Sequence, residues 1–222
     1  MGVFTLDNLW FMIKAAGVSL FIGTSALILG ILIGVLMASF RISKNKFLNI
    51  IGRIYVYLIR GTPMLLHIFY LYLGIPSLFL MLTGKPLRLD AHLIAIIAIA
   101  INSGAYGCEL IRSGINSIDK GQWEAAKTLG LTHRQTMLHI ILPQAFRNLI
   151  PPFVSEYITL IKDTSLVSTI GIVELLQSAK VIGTTTFDYI TPLTIAAVIY
   201  LIMTQVIAQF SYYLERRLQA DD

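Results

Sequence analysis

The chain has 222 residues, 56% of them hydrophobic and only 13% charged, with a mean hydropathy of +0.75. Soluble domains carry roughly 25% charged residues, so a soluble globular protein is excluded and an all-α integral membrane protein is predicted. The net charge of +5 lies along the borders of apolar runs, which argues for membrane topology and against a nucleic-acid partner. The lone Cys108 excludes an internal disulfide framework.

Five apolar runs are long enough to cross about 30 Å of hydrocarbon; they fall near 15–40, 54–82, 91–113, 149–170 and 188–212. Lys14 is a weak basic flank, and the run after it is too long for a signal-peptide core, so no cleavable leader is expected. Span one carries Gly23, Gly30, Gly34 and Ala38 near one face, a pattern that lets helix backbones approach closely in lipid. Span two is rich in aromatic residues (Phe69, Tyr70, Tyr72, Phe79), read as packing and interfacial groups. Arg41, Lys44, Lys46 and Arg53 follow span one, Arg216 and Arg217 follow span five, and Arg112, Lys120, Lys127, Arg134 and Arg147 surround the segment 114–148. Between spans two and three stand only Lys85 and Arg88, and beyond span four only Lys180. The positive-inside rule then places the N-terminus outside, the C-terminus in the cytoplasm and residues 114–148 in the cytosol.

That cytosolic segment reads as a helical hairpin. Asp119 is placed to cap a short helix starting near Gly121. Gly130 stands where a left-handed residue ends it, and Thr132 with Gln135 fits a capping box opening a second helix. Pro143 is expected to end or kink that second helix. The hairpin is either an ordinary connector or a docking element that moves with a cytosolic partner.

Ionisable groups at membrane depth are costly and mark function. In span three Asn102, Tyr106 and Glu109 fall at i, i+4 and i+7 and share one face. Glu156, Thr159 and Asp163 do the same in span four, and Gly104, Gly107 and Cys108 leave room beside the first face. These faces either line a path that holds an α-amino group or a cationic side chain, or serve as inter-helix ion pairs. In the second case Glu109 pairs with Arg112 or Lys162. His67, His92, His133 and His139 lack metal-ligand spacing. No Ser/His/Asp or Cys/His constellation is present, and no Gly-x4-Gly-Lys-[Ser/Thr] phosphate loop.

The series Glu124-Ala125-Ala126-x3-Gly130-x9-Ile140-x-Leu142-Pro143 resembles the cytoplasmic signature of permease subunits in ABC importers that use a binding protein. Arg60-Gly61-Thr62-Pro63, Asn102-Ser103-Gly104-Ala105-Tyr106 and Lys162-Asp163-Thr164-Ser165-Leu166 are similar to the polar amino-acid branch of that family. The resemblance covers nearly the whole chain. It implies one transmembrane domain over 1–222 with a type I ABC importer-like fold and a cytosolic coupling hairpin, in the inner membrane of a bacterium. It also implies a second permease copy (homodimer or heterodimer), a cytosolic ABC ATPase dimer, an external solute-binding protein and an amino-acid substrate. ATP and Mg would sit on the ATPase, with no cofactor and no metal on this chain. Glu124, Ala125, Ala126, Leu129, Gly130 and Leu131 then serve ATPase coupling. Asn102, Tyr106, Gly107, Glu109, Thr159, Asp163 and Thr164 then border the substrate pathway. Arg60, Gly61, Thr62, Pro63 and Pro143 are gating or structural, and the spans hinge near Pro143, Pro151 and Pro152. The acidic faces favour a cationic or zwitterionic amino acid or cystine. The rival reading is an ATP-independent secondary carrier or a channel subunit. A carrier needs inverted repeats in a longer chain, and a channel leaves the capped hairpin without a purpose.

Overall fold

The long apolar runs form helices, because in lipid the backbone N–H and C=O groups must satisfy one another. The computed structural model describes residues 5–219. In it α1 is Leu6–Ile42, α2 Lys46–Arg60, α3 Met64–Thr83 and α4 Ala91–Asn116. α5 is Lys120–Thr128, and α6, His133–Ile170, is followed after a 50° bend by α7, Leu175–Thr186. α8, Ile190–Gln219, completes the described fold. By length and hydropathy α1, α3, α4 and α8 can each cross a membrane, and the bent pair α6–α7 supplies a fifth crossing. The expected orientation of the two ends concerns residues 1–4 and 220–222, which lie outside the described residues.

Three expected boundaries move. Span two does not start at 54: residues 54–60 belong to α2, and the spanning helix begins after Pro63. Proline disfavours the helical region for the residue before it, and the Thr62 hydroxyl folds back to donate to the Leu58 carbonyl at 2.7 Å. Span four is helical well before 149, since α6 starts at His133, so the second half of segment 114–148 is helix rather than loop. Pro143 does not end that helix. A wide π-type turn at Met137–Ile141 stands two residues before it, as the π-type turn Tyr70–Gly74 stands two residues before Pro76. Widening the turn relieves the clash of a proline ring with the carbonyl four residues back, and the helix continues.

α1 and α4 share the longest interface, built on small residues. A Cβ on Gly34 would stand 3.2 Å from the Cys108 backbone nitrogen, and one on Gly104 would stand 2.6 Å from Ile33 Cγ2 and 2.8 Å from the Tyr55 hydroxyl. Helices in lipid associate through such close packing. Gly104→Ala is therefore expected to destabilise the solubilised protein by about 1–3 kcal/mol, read as a lowered unfolding midpoint in detergent. Around this seam Ile22 and Ala26 of α1, Ile68 of α3, Ile99 of α4 and Leu160 of α6 form the main core.

The α6–α7 bend is sustained by a buried carboxylate. Glu174 is fully buried and caps α7: its two oxygens accept from the Leu176 and Gln177 backbone N–H at 2.9 and 2.7 Å and from the Tyr200 hydroxyl at 2.8 Å. The Leu175 N–H donates to Ser19 Oγ of α1 at 3.3 Å. The free first-turn donors of α7 are thus taken by Ser19 of α1 and by Glu174, which Tyr200 of α8 holds in place.

Candidate functional site

The hairpin is held by its own caps. Asp119 accepts from the Gly121 N–H at 2.7 Å and starts α5. At its far end Gly130 adopts φ +74°, with its N–H on the Lys127 carbonyl at 3.0 Å and the Leu131 N–H on the Ala126 carbonyl at 3.1 Å. This double bond pattern closes a helix through a left-handed residue, which glycine adopts without a Cβ penalty. The Thr132–Gln135 capping box then opens α6: the Thr132 N–H donates to Gln135 Oε1 at 2.9 Å and the Gln135 N–H to Thr132 Oγ1 at 3.3 Å.

One side of the hairpin is fastened to the rest of the chain. Ile115 and Ile118 pack with Ile141 and Ala145, joined by Trp123, and the Trp123 ring stacks on His133 with centroids 5.5 Å apart. Ala126 is buried, whereas Glu124, Ala125 and Gly130 are exposed and Leu129 is 78% exposed. The two alanines, read alike in the sequence, therefore part: Ala126 packs within the chain and only Ala125 faces outward. What remains at the surface is a rigid polar turn carrying one apolar knob.

Within the helical bundle, the face of α4 read as a solute path is engaged at all three of its residues. Asn102 is buried and its Nδ2 lies 3.4 Å from His67 Nδ1 of α3. The Arg60 guanidinium lies 4.9 Å over the Tyr106 ring, an attraction between a cation and a π face. Glu109 is paired with Arg41 of α1 and, at 2.9 Å, with Arg112. Of the two pairings expected for Glu109, the one with Arg112 forms and Lys162 takes no part; Arg41, counted only for topology, is the partner that was missed. Arg41, Arg60, Tyr106 and Glu109 ring a cavity of about 570 Å³ with Arg53 and Tyr57; Asn102 is not in its lining.

Two further positions expected along the path are enclosed within this chain. Gly107 opens no space for a solute, because Phe153 of α6 and Gly34 of α1 already occupy the volume beside it. Thr164 is fully buried with its hydroxyl donated to the Ile161 carbonyl at 2.7 Å. By contrast Thr159 is exposed and Asp163 partly exposed. Glu156 lies near Ser103 of α4, and neither acidic group forms a salt bridge among the described residues. Sequence reasoning missed Ser103, His67, Glu174 and Tyr200. A Glu three residues before Gln177 was an available capping signal, but nothing local marks the partners of His67.

Five membrane-crossing stretches of helix with a capped polar hairpin ahead of the fourth define a transporter's membrane subunit. Residues 30–220 match the binding-protein-dependent transport system inner membrane component family, and the chain belongs to it, among its amino-acid permeases. It is 34% identical to the arginine transport system permease protein ArtQ of Bacillus subtilis, over 98% of this chain and 97% of ArtQ. With the L-cystine transport system permease protein TcyB of the same organism it shares 41% identity over 86% of this chain and 79% of TcyB. In the crystal structure of an amino acid ABC transporter with histidines, one chain superposes with a TM-score of 0.88 at 34% identity, covering 96% of both chains.

Proposed function

We propose that this permease imports a cationic or zwitterionic amino acid, or cystine, and draws its energy from ATP hydrolysed on a separate ATPase that docks at the α5–α6 hairpin. The observation that carries the coupling is the division of that hairpin. Its inner side is locked to α4 and α6, so a pull on the outer turn moves whole spans rather than a loop. The outer turn offers Glu124, Ala125, the exposed Leu129 and Gly130, with Leu131 closing it. ATPase closure would rock these spans between inward-open and outward-open states as rigid bodies.

In this reading ATP and Mg sit on the ATPase dimer, an external binding protein delivers the solute, and two permease copies enclose the path. The N-terminus lies outside and the C-terminus in the cytoplasm. The path runs past Asn102, Glu156, Thr159 and Asp163. The Tyr106 and Glu109 side chains hold the wall of that path through Arg60 and Arg41. Two carboxylates outside any salt bridge among the described residues favour an ammonium or guanidinium over an anionic solute. The names of the similar arginine and L-cystine permeases point the same way.

The test is uptake by proteoliposomes containing the permease and its ATPase, with the binding protein outside and labelled L-arginine, L-glutamine and L-cystine offered in turn. Accumulation that needs internal ATP is expected. Accumulation without ATP would replace this reading with a carrier or a channel.

A further inference from the structure

The Thr62–His67–Asn102 contacts determine a proton arrangement. Thr62 Oγ1 lies 2.7 Å from the Leu58 carbonyl oxygen and 2.6 Å from His67 Nε2. A carbonyl oxygen only accepts, so the single hydroxyl proton of Thr62 is spent on Leu58. Thr62 then presents a lone pair to His67, and His67 Nε2 must carry the proton. The neutral ring keeps its other lone pair on Nδ1, which takes a hydrogen from Asn102 Nδ2 at 3.4 Å.

The consequence falls on Asn102. Its NH2 is committed to α3, so its carbonyl oxygen faces away from His67 as a free acceptor. The Glu156 carboxylate of α6, close to the adjoining Ser103, adds acceptors beside the same stretch of α4. A solute ammonium group has three donors and no acceptor, so it is matched by oxygen atoms and repelled by an amide turned the other way.

We propose that His67 is a positioning residue for transport: held as the Nε2–H tautomer by Thr62, it fixes the Asn102 amide with its oxygen offered to the ammonium group of the solute. This rests on the reading that Asn102 borders the path. It also gives the break at Gly61–Pro63 a second purpose, since the backbone turn that ends α2 brings Thr62 against the His67 ring.

Two measurements test it on the permease–ATPase complex in nanodiscs. In ¹⁵N-histidine NMR, the signals that vanish in His67→Gln belong to His67, and they should report a protonated Nε2 and a bare Nδ1. A ring protonated at Nδ1 overturns the proposal. In direct binding of the labelled amino acid that the uptake assay selects, without binding protein, His67→Leu should weaken binding about tenfold, the scale of one oriented hydrogen bond to a charged group. His67→Gln, whose amide both donates and accepts, should restore it. Thr62→Val, at an exposed position, should reproduce the loss without disturbing the core, which covers the case that His67→Leu fails to fold. The Nα-acetylated amino acid, which has no ammonium group, should bind all variants alike. Should Asn102→Ala weaken binding while Thr62→Val and His67→Leu leave it unchanged, the proposal fails and the pathway reading stands. Should Asn102→Ala also change nothing, the pathway reading fails and takes the proposal with it.

Discussion

Gly130→Asp is expected to abolish ATP-driven uptake while leaving the permease inserted and close to its normal unfolding midpoint. Space is not the constraint there, because a Cβ on Gly130 would have no heavy atom within 4 Å. Backbone conformation is a modest one: φ is +74°, and aspartate is among the few residues that visit this left-handed region routinely. What the substitution adds is a desolvation-resistant charge in the middle of the exposed turn, between Leu129 and Leu131. A surface that must seat in a partner's cleft tolerates that badly, whereas a mere connector does not notice it. Gly130→Val separates the two effects. It brings no charge but strains the turn by about 1–2 kcal/mol, so it should lower the midpoint more and uptake less. Uptake by Gly130→Asp at the normal rate would remove the coupling role of the hairpin.

Glu174→Ala should produce the largest loss of stability in the molecule. The substitution strips acceptors from the Leu176 and Gln177 N–H groups and from the Tyr200 hydroxyl. These donors are partly buried, so each left unpaired costs at most about 1–3 kcal/mol, and the cavity left by the fully buried Glu174 side chain adds to that. Little folded protein should survive extraction into detergent, and none should transport. Tyr200→Phe removes one hydroxyl but leaves the cap intact, so its cost should be about 1 kcal/mol. Equal losses for the two variants would mean that the Glu174–Tyr200 contact, rather than capping of α7, sustains the bend.

Most of the helical architecture was legible because its causes are local. An apolar run of sufficient length must satisfy its backbone internally, and Thr132 with Gln135 opens a helix wherever they occur three apart. The errors share one origin. Periodicity alone joined residues 54–60 to the span after Pro63, although the turn at Gly61–Pro63 separates two helices. Gly107 has the small volume that suggests an opening, yet smallness on a helix also admits another helix, and here Phe153 and Gly34 come in. Glu109 was open in the sequence between the path and a pair with Arg112 or Lys162, and its Arg41 partner escaped notice because α1 brings it in across 68 positions of sequence.

By itself, then, the sequence determined that the chain spans a membrane with helices, that a capped hairpin with a glycine turn lies between the third and fourth spans, and that its motifs resemble those of amino-acid importers. Each of these follows from neighbours within about one or two helical turns, where propensity, capping and hydropathy act. Only the tertiary structure decided which polar groups are committed and which are open: Glu109 to Arg41 and Arg112, Asn102 to His67, Glu174 to the start of α7, with Thr159 left exposed and Glu156 and Asp163 outside any salt bridge among the described residues. The reason is that a hydrogen bond or ion pair between helices depends on how those helices pack, and packing is set by small residues such as Gly34 and Gly104 whose partners lie far away in the chain.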